Sequence, residues 1–262
     1  MITQEVVLAI VVALTGWWFS TGLILFLVHR NASLHGRLFV VATGIMLLVL
    51  MSVPAFAVVA SPVNTVIGFC LALLLWGWLE MGYLMGFVTG PNRKPCPPHA
   101  SLFARLRLGV GTCLWHELWL LLLVGSLYIL TYKQPNQTTL WTFTALWLLR
   151  WSAKLNLVMG VRNYNYAWLP QHLEYLDSYI PRRIFNPLFP FSVLMGAGSA
   201  AFIFSLAAAS GSVAHTVSYV LVAALVTLGT LEHIFLMFPM GDARLWQWAA
   251  PAEVTESGFG DR

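Results

Sequence analysis

The sequence predicts an all-α, polytopic integral membrane protein with seven transmembrane helices. Of its 262 residues, 59% are hydrophobic and only 9% are charged, whereas a soluble domain carries about 25% charged residues. The apolar residues fall into long runs, and a bilayer core about 30 Å thick needs about 20 of them per helix. A membrane barrel would instead show alternating segments of about ten residues. The lipid bilayer is therefore the expected surrounding, and no soluble basic face is left to bind nucleic acid.

Seven apolar segments are long enough to span a bilayer with some tilt. No shift in composition separates them, which predicts a single transmembrane domain over residues 1–262. Near residues 170–180, apolar side chains recur at helical spacing opposite polar ones, a pattern typical of a short helix at the membrane surface. The predicted spans cover about residues 5–29, 37–60, 64–89, 109–132, 140–161, 188–210 and 214–238.

The positive residues predict the orientation of the chain. Of the 14 Lys and Arg residues, all but three lie in the loops and tail on one side of the predicted bundle. Lys133 alone lies on the other side, and Arg150 and Lys154 fall inside the fifth span. Because cytoplasmic loops carry an excess of Lys and Arg, we predict an outside N-terminus and a cytoplasmic C-terminus.

Ionisable and polar residues occur inside four of the predicted spans, where they are costly. A charge at the centre of a membrane helix costs about 2.5–3.5 kcal/mol even on lenient scales. With the predicted orientation and a rise of about 1.5 Å per residue, most of this set falls in one layer roughly 9–14 Å deep. They must therefore pair, bind a ligand or line a wet cavity. The set comprises Glu80 in the third span, His116 and Glu117 in the fourth, Arg150, Lys154 and Asn156 in the fifth, and Glu232 and His233 in the seventh.

Three interpretations of this set are open. It could be a salt-bridge network that fixes helix packing, although desolvation offsets most of the Coulomb gain of buried pairs. It could bind a tetrapyrrole or a metal ion through neutral imidazole nitrogens. It could also line a pathway for protons or a substrate. The candidate metal ligands are Glu80, His116, Glu117, Glu232 and His233, and the candidate cofactor-binding residues are His116, His233, Arg150, Lys154 and Asn156.

Five segments of the second half of the chain resemble a known family. Their sequences, in chain order, are WHELWLLLL, RWSAKLNLVMGVRNYN, LPQHLEYLDSYI, NPLFPFS and LEHIFLMFP. Together they are similar to the photosynthetic complex assembly protein 2 family (PuhE-type) of phototrophic bacteria, over about residue 75 to the tail. The resemblance implies a multi-pass protein of the bacterial inner, or intracytoplasmic, membrane. The implied partners are reaction-centre or light-harvesting 1 subunits and other assembly factors, and the resemblance brings no catalytic residues.

Two functional hypotheses follow. The first is a non-enzymatic assembly factor that handles bacteriochlorophyll or its precursors, with a histidine for magnesium, cations for propionate groups and aromatic walls. The second is a membrane-embedded metal- or haem-dependent enzyme of tetrapyrrole metabolism, with buried carboxylates and histidines as ligands and proton relays. A transporter is disfavoured because no internal repeat is evident. We favour the first, and expect Glu80, Lys154 and Glu232, with at least one histidine, to meet in a common interior space.

Overall fold

The chain is helical in a computed structural model, which describes residues 2–164, 169–238, 245–246 and 248–249. These residues form no strand, and their isolated β-bridge joins Val161 to Arg182. The predicted all-α class is therefore confirmed. The long helices are α1 (Ile2–Val28), α2 (Ala32–Ala57), α3 (Pro62–Leu84), α4 (Leu102–Thr131), α5 (Thr138–Met159), α6 (Leu188–Ala209) and α7 (Val213–Met237), with a 3-10 helix at Gln171–Tyr179 between α5 and α6.

Six of these long helices, all except α5, are long and apolar enough to cross a membrane by length and composition. Helix α5 has 22 residues, or about 33 Å at the usual rise, which is enough to span. It is less apolar than the others because it carries Arg150, Lys154 and Asn156. These helices support the predicted multi-pass character, whereas the seventh span and the orientation stay predictions.

Helices α3 and α7 lie at the centre of the packing. Helix α3 contacts α1, α2, α4, α5 and α7, and α7 contacts α1, α3, α5 and α6. Helix α6 lies at the edge, where it buries only Ala200 and Ala207. It packs closely on α7 through Gly196, where an added Cβ would lie 2.3 Å from the Thr230 hydroxyl oxygen. The small residues that allow such an approach are typical of helix contacts in membranes.

A kink at Cys113 divides α4, and the sequence did not predict it. The backbone there leaves the helical region, with φ −130° and ψ 17°. The amides of Trp115 and His116 instead donate to the carbonyl oxygen of Thr89, at 2.9 and 3.2 Å. Helix α4 also begins at Leu102, well before the predicted start near residue 109. The kink therefore connects the middle of α4 to the loop after α3. His116 and Glu117 come directly after this point in the chain.

The predicted surface helix is the 3-10 helix, and its apolar stripe faces the protein. Leu173 is buried against Tyr83 of α3 and Cys113 of α4. The phenol of Tyr179 accepts a hydrogen bond from Asn92 Nδ2 at 2.8 Å and donates to the carbonyl of Lys94 at 3.0 Å. These contacts fasten the 3-10 helix over one end of the bundle. Its placement at the membrane surface stays a prediction.

The predicted orientation can be tested with the cysteine side chains. We expect Cys96, which is partly exposed in the loop before α4, to react with a membrane-impermeant maleimide in inverted vesicles but not in intact cells. The exposed Cys70 is replaced by alanine for this measurement, and Cys113 is buried. A Gly211→Cys variant lacking Cys96 should label with the opposite sidedness, since Gly211 is exposed between α6 and α7. Labelling of Cys96 from outside would reverse the topology.

Candidate functional site

Two ion pairs join α5 to its neighbours inside the bundle. Arg150 donates from Nη2 to Glu80 Oε2 of α3 at 2.8 Å, and Lys154 donates from Nζ to Glu117 Oε1 of α4 at 2.5 Å. Arg150 and Lys154 are four residues apart and so lie on one face of α5. The structure therefore brings together four of the predicted residues from three helices.

His116 lies between the two pairs. Its side chain is completely buried, and its Nε2 and Nδ1 atoms lie 3.7 Å from Glu80 Oε1 and Glu117 Oε1, respectively. Among the described residues, neither ring nitrogen has a hydrogen-bond partner, and the same is true of Glu80 Oε1. The ring packs edge-on against Tyr83, with centroids 5.1 Å apart. The five groups thus alternate as cation, carboxylate, imidazole, carboxylate and cation.

Tryptophan side chains supply hydrogen bonds to the carboxylates, a role that sequence reasoning missed. Trp151 Nε1 donates to Glu117 Oε2 at 2.7 Å, and Trp147 Nε1 approaches the same oxygen at 3.4 Å. Trp17 Nε1 of α1 donates to Glu232 Oε1 at 2.7 Å. The sequence of α5 carries a signal for this role, because its tryptophans and cations share one helical face. These residues are Trp147, Arg150, Trp151 and Lys154.

A cavity of about 440 Å³ lies beside these groups. Residues from α1, α3, α4, α5, α7 and the 3-10 helix line it, and most of them are apolar or aromatic. The three carboxylates and two cations that line it have a formal charge of −1. Glu232 is exposed within it, in contrast to the buried Glu80 and Glu117. The charged lining residues are Glu80, Glu117, Arg150, Lys154 and Glu232.

Two tyrosines line the cavity outside the spans. Tyr164 follows α5, and Tyr179 ends the 3-10 helix. Burial raises the pKa of both phenols above their ordinary value, although Arg150 opposes the shift of the Tyr164 pKa. Both side chains are therefore neutral at physiological pH, so this end of the cavity is polar without adding charge.

His233 and Asn156 do not line the cavity but join a separate polar network. His233 Nδ1 lies 2.6 Å from the carbonyl oxygen of Gly229 and must donate to it, because a carbonyl cannot donate. In the neutral ring Nε2 is then an acceptor, and the Ser152 hydroxyl at 2.9 Å donates to it.

Asn156 holds the start of α6 in the same network. Its Nδ2 donates to Ser192 Oγ at 2.8 Å, and its Oδ1 accepts from the buried Asn186 at 3.0 Å. Asn186 in turn accepts from the amide of Leu188 at the first turn of α6. The expected convergence of interior residues therefore includes Glu80, Lys154 and Glu232, whereas His233 and Asn156 connect α5 with α6 and α7.

Comparison with known proteins places the chain in a family. The family model described as protein of unknown function (DUF3623) matches residues 3–257. The chain belongs to this family. A relative from Rhodobacter capsulatus, described as an uncharacterized 30.4 kDa protein in the puhA 5′ region, is 37% identical over 241 residues. The match covers 90% of this chain and 88% of the relative. No solved structure matches the chain significantly.

The site of this DUF3623 protein is a cavity inside the bundle, lined by charged and aromatic side chains. Among the residues that the structure describes, no three His, Cys, Asp or Glu side chains are grouped to hold a metal ion. His116 cannot reach a ligand in the cavity without displacement of Glu80 or Glu117, since it is fully buried. The most exposed charged groups of the lining are the two cations and the Glu232 carboxylate, and aromatic side chains form part of the walls.

Proposed function

We propose that this DUF3623 protein is a membrane factor for assembly of the bacterial photosynthetic complex, the reaction centre and core antenna, and that its cavity binds bacteriochlorophyll or a precursor. The cavity carries this proposal, because it combines apolar and aromatic walls with a few charged groups inside the bundle. Its volume of about 440 Å³ falls within the roughly 300–1,000 Å³ of small-molecule sites. The position of the relative's gene in the puhA 5′ region supports the process.

The lining residues fit a flat tetrapyrrole, but not through the histidines first expected. Trp17, Trp76, Trp151 and Tyr83 offer aromatic surface to a macrocycle. His116 and His233 do not line the cavity, so neither would bind a central magnesium. Glu232 is exposed there and would supply a carboxylate oxygen, a ligand type that magnesium prefers. The other predicted carboxylates, Glu80 and Glu117, are held in the ion pairs.

The alternative is a metal- or haem-dependent enzyme of tetrapyrrole metabolism. Such an enzyme would use the carboxylates and histidines as metal ligands. His233 is held between Gly229 and Ser152, and His116 lies behind the ion pairs. The geometry therefore favours binding of a pigment over metal-centred chemistry at these residues.

Pigment binding can be tested on protein purified gently from pigment-producing cells. We expect a bacteriochlorin or porphyrin absorbance that falls several-fold in Ala153→Trp, because Ala153 lines the cavity and an indole there would fill it. Leu194→Trp is the matched control, since Leu194 is 72% exposed on the outer face of α6. Equal absorbance in both variants, or colourless protein, would contradict the proposal. Near-stoichiometric iron, zinc or copper would favour the enzyme.

The assembly role has its own genetic test. Deletion of the gene should lower the amount of assembled reaction centre and core antenna in the membrane, measured by absorption spectra of membrane fractions. The wild-type gene should restore the amount of assembled complex in the deletion strain, and the Ala153→Trp gene should not. Normal complex levels in the deletion strain would overturn the role in assembly, whatever the protein binds.

A further inference from the structure

We infer that the ligand of this cavity carries a free carboxylate, and that Arg150 and Lys154 bind it. Such a ligand is an unesterified tetrapyrrole acid, an earlier pigment precursor than the esterified chlorin. The inference rests on the proposed function, because it specifies the ligand class of the same cavity. The inference depends on which side chains of the two ion pairs are exposed in the cavity.

The cations of the two pairs are more exposed than their carboxylates. The side chain of Arg150 is 34% exposed and that of its partner Glu80 is 11% exposed. Lys154 and Glu117 show the same order, at 22% and 10%. All four residues line the cavity. The side chains of Arg150 and Lys154 are therefore more accessible to a ligand at this wall than those of Glu80 and Glu117.

Each of the two cations has more donors than its ion pair uses. A guanidinium has five N–H donors and an ammonium has three. The contact of Arg150 with Glu80 uses Nη2, and Arg150 Nε is buried, so a ligand would reach this guanidinium through its Nη atoms. Lys154 donates to Glu117 Oε1. The Arg150 fork has the geometry that binds a carboxylate through two parallel hydrogen bonds.

The carboxylates fix the cations instead of competing for the ligand. Glu117 accepts from Lys154 through Oε1 and from Trp151 through Oε2. Each pair is formally neutral, so the two pairs together place no net negative charge beside an incoming anion. Glu232, the exposed carboxylate, belongs to α7 and is bonded to Trp17 of α1. Its negative charge also acts on Arg150, so Lys154 is, among the described residues, the cation of the two pairs that lies beside no second carboxylate of this kind.

The experiment compares an acid with its ester. Wild-type protein in lipid nanodiscs is titrated with bacteriochlorophyllide and with its methyl ester, and binding is followed by quenching of tryptophan fluorescence. Trp17, Trp76 and Trp151 line the cavity, so a bound ring should quench them. We expect the acid to bind at least about tenfold more tightly, because charge-assisted hydrogen bonds are lost in the ester.

The variants separate binding from folding. The double substitution Arg150→Gln/Glu80→Gln removes both charges of one pair, so neither is left unpaired. It should bind the ester as the wild type does and lose most of the preference for the acid. Lys154→Met combined with Glu117→Gln should reduce the preference in the same way. Arg107→Gln is the control, because Arg107 is exposed and does not line the cavity.

The outcomes distinguish this inference from the proposed function. Binding of both compounds with equal affinity, or preference for the ester, would overturn the inference and leave pigment binding intact. Binding of neither compound would overturn both. An unchanged preference in the Arg150→Gln/Glu80→Gln variant would also overturn the inference, because another part of the cavity would then recognise the carboxylate.

Discussion

Replacement of Glu117 by glutamine is expected to destabilise the protein by about 3–5 kcal/mol, the usual cost of breaking a buried ion pair from one side. Glu117 accepts from Lys154 and Trp151 and lies 3.7 Å from His116. Its neutralisation leaves the Lys154 ammonium without its counter-charge. The measurement is the free energy of unfolding in detergent micelles, followed by tryptophan fluorescence.

The double variant Glu117→Gln/Lys154→Met tests the cause of this loss. Removal of both charges should restore most of the stability, because neither is then left uncompensated. Glu174→Gln in the 3-10 helix is the matched control, since Glu174 is exposed, and it should change stability by less than about 0.5 kcal/mol. If the double variant is as unstable as Glu117→Gln alone, the ion pair is not the source of the effect.

Substitution of Gly90 by alanine should cost about 3 kcal/mol, at the upper end of overpacking effects. An added Cβ would lie 2.1 Å from the carbonyl oxygen of Gly111 and 2.8 Å from the amide nitrogen of Cys113. These are backbone atoms and cannot rotate away as a flexible side chain would. The loop and the kink in α4 would have to separate, with loss of the bonds from Trp115 and His116 to Thr89.

The readouts are the free energy of unfolding and the binding of pigment by the protein that remains folded. Gly125→Ala is the control in α4, the helix that Gly90 approaches, because a Cβ at Gly125 would meet nothing within 4 Å. It should be neutral or should stabilise by up to about 1 kcal/mol, since alanine is the better helix former. Equal effects of the two substitutions would show that α4 does not need its close approach to the loop.

The cluster could be predicted from the sequence because hydrocarbon penalises isolated charges. Such charges must pair, bind a ligand or line a wet cavity, and counting residues from the helix ends placed Glu80 and Lys154 in one layer. The same reasoning does not decide which side of a helix a residue faces. His233 and Asn156 have the right depth, yet they face Ser152, Ser192 and Asn186, because neutral polar groups are satisfied by any nearby donor or acceptor.

The sequence alone determined that this protein is a bundle of apolar helices whose interior charges need compensation, because the bilayer fixes span length and the cost of a buried charge whatever the packing. The tertiary structure decided which groups face the cavity. Which side chains line the cavity depends on the kink at Cys113, on the approach of Gly90 to α4 and on the 3-10 helix over Tyr83. These are contacts between distant segments, whose geometry no local pattern specifies.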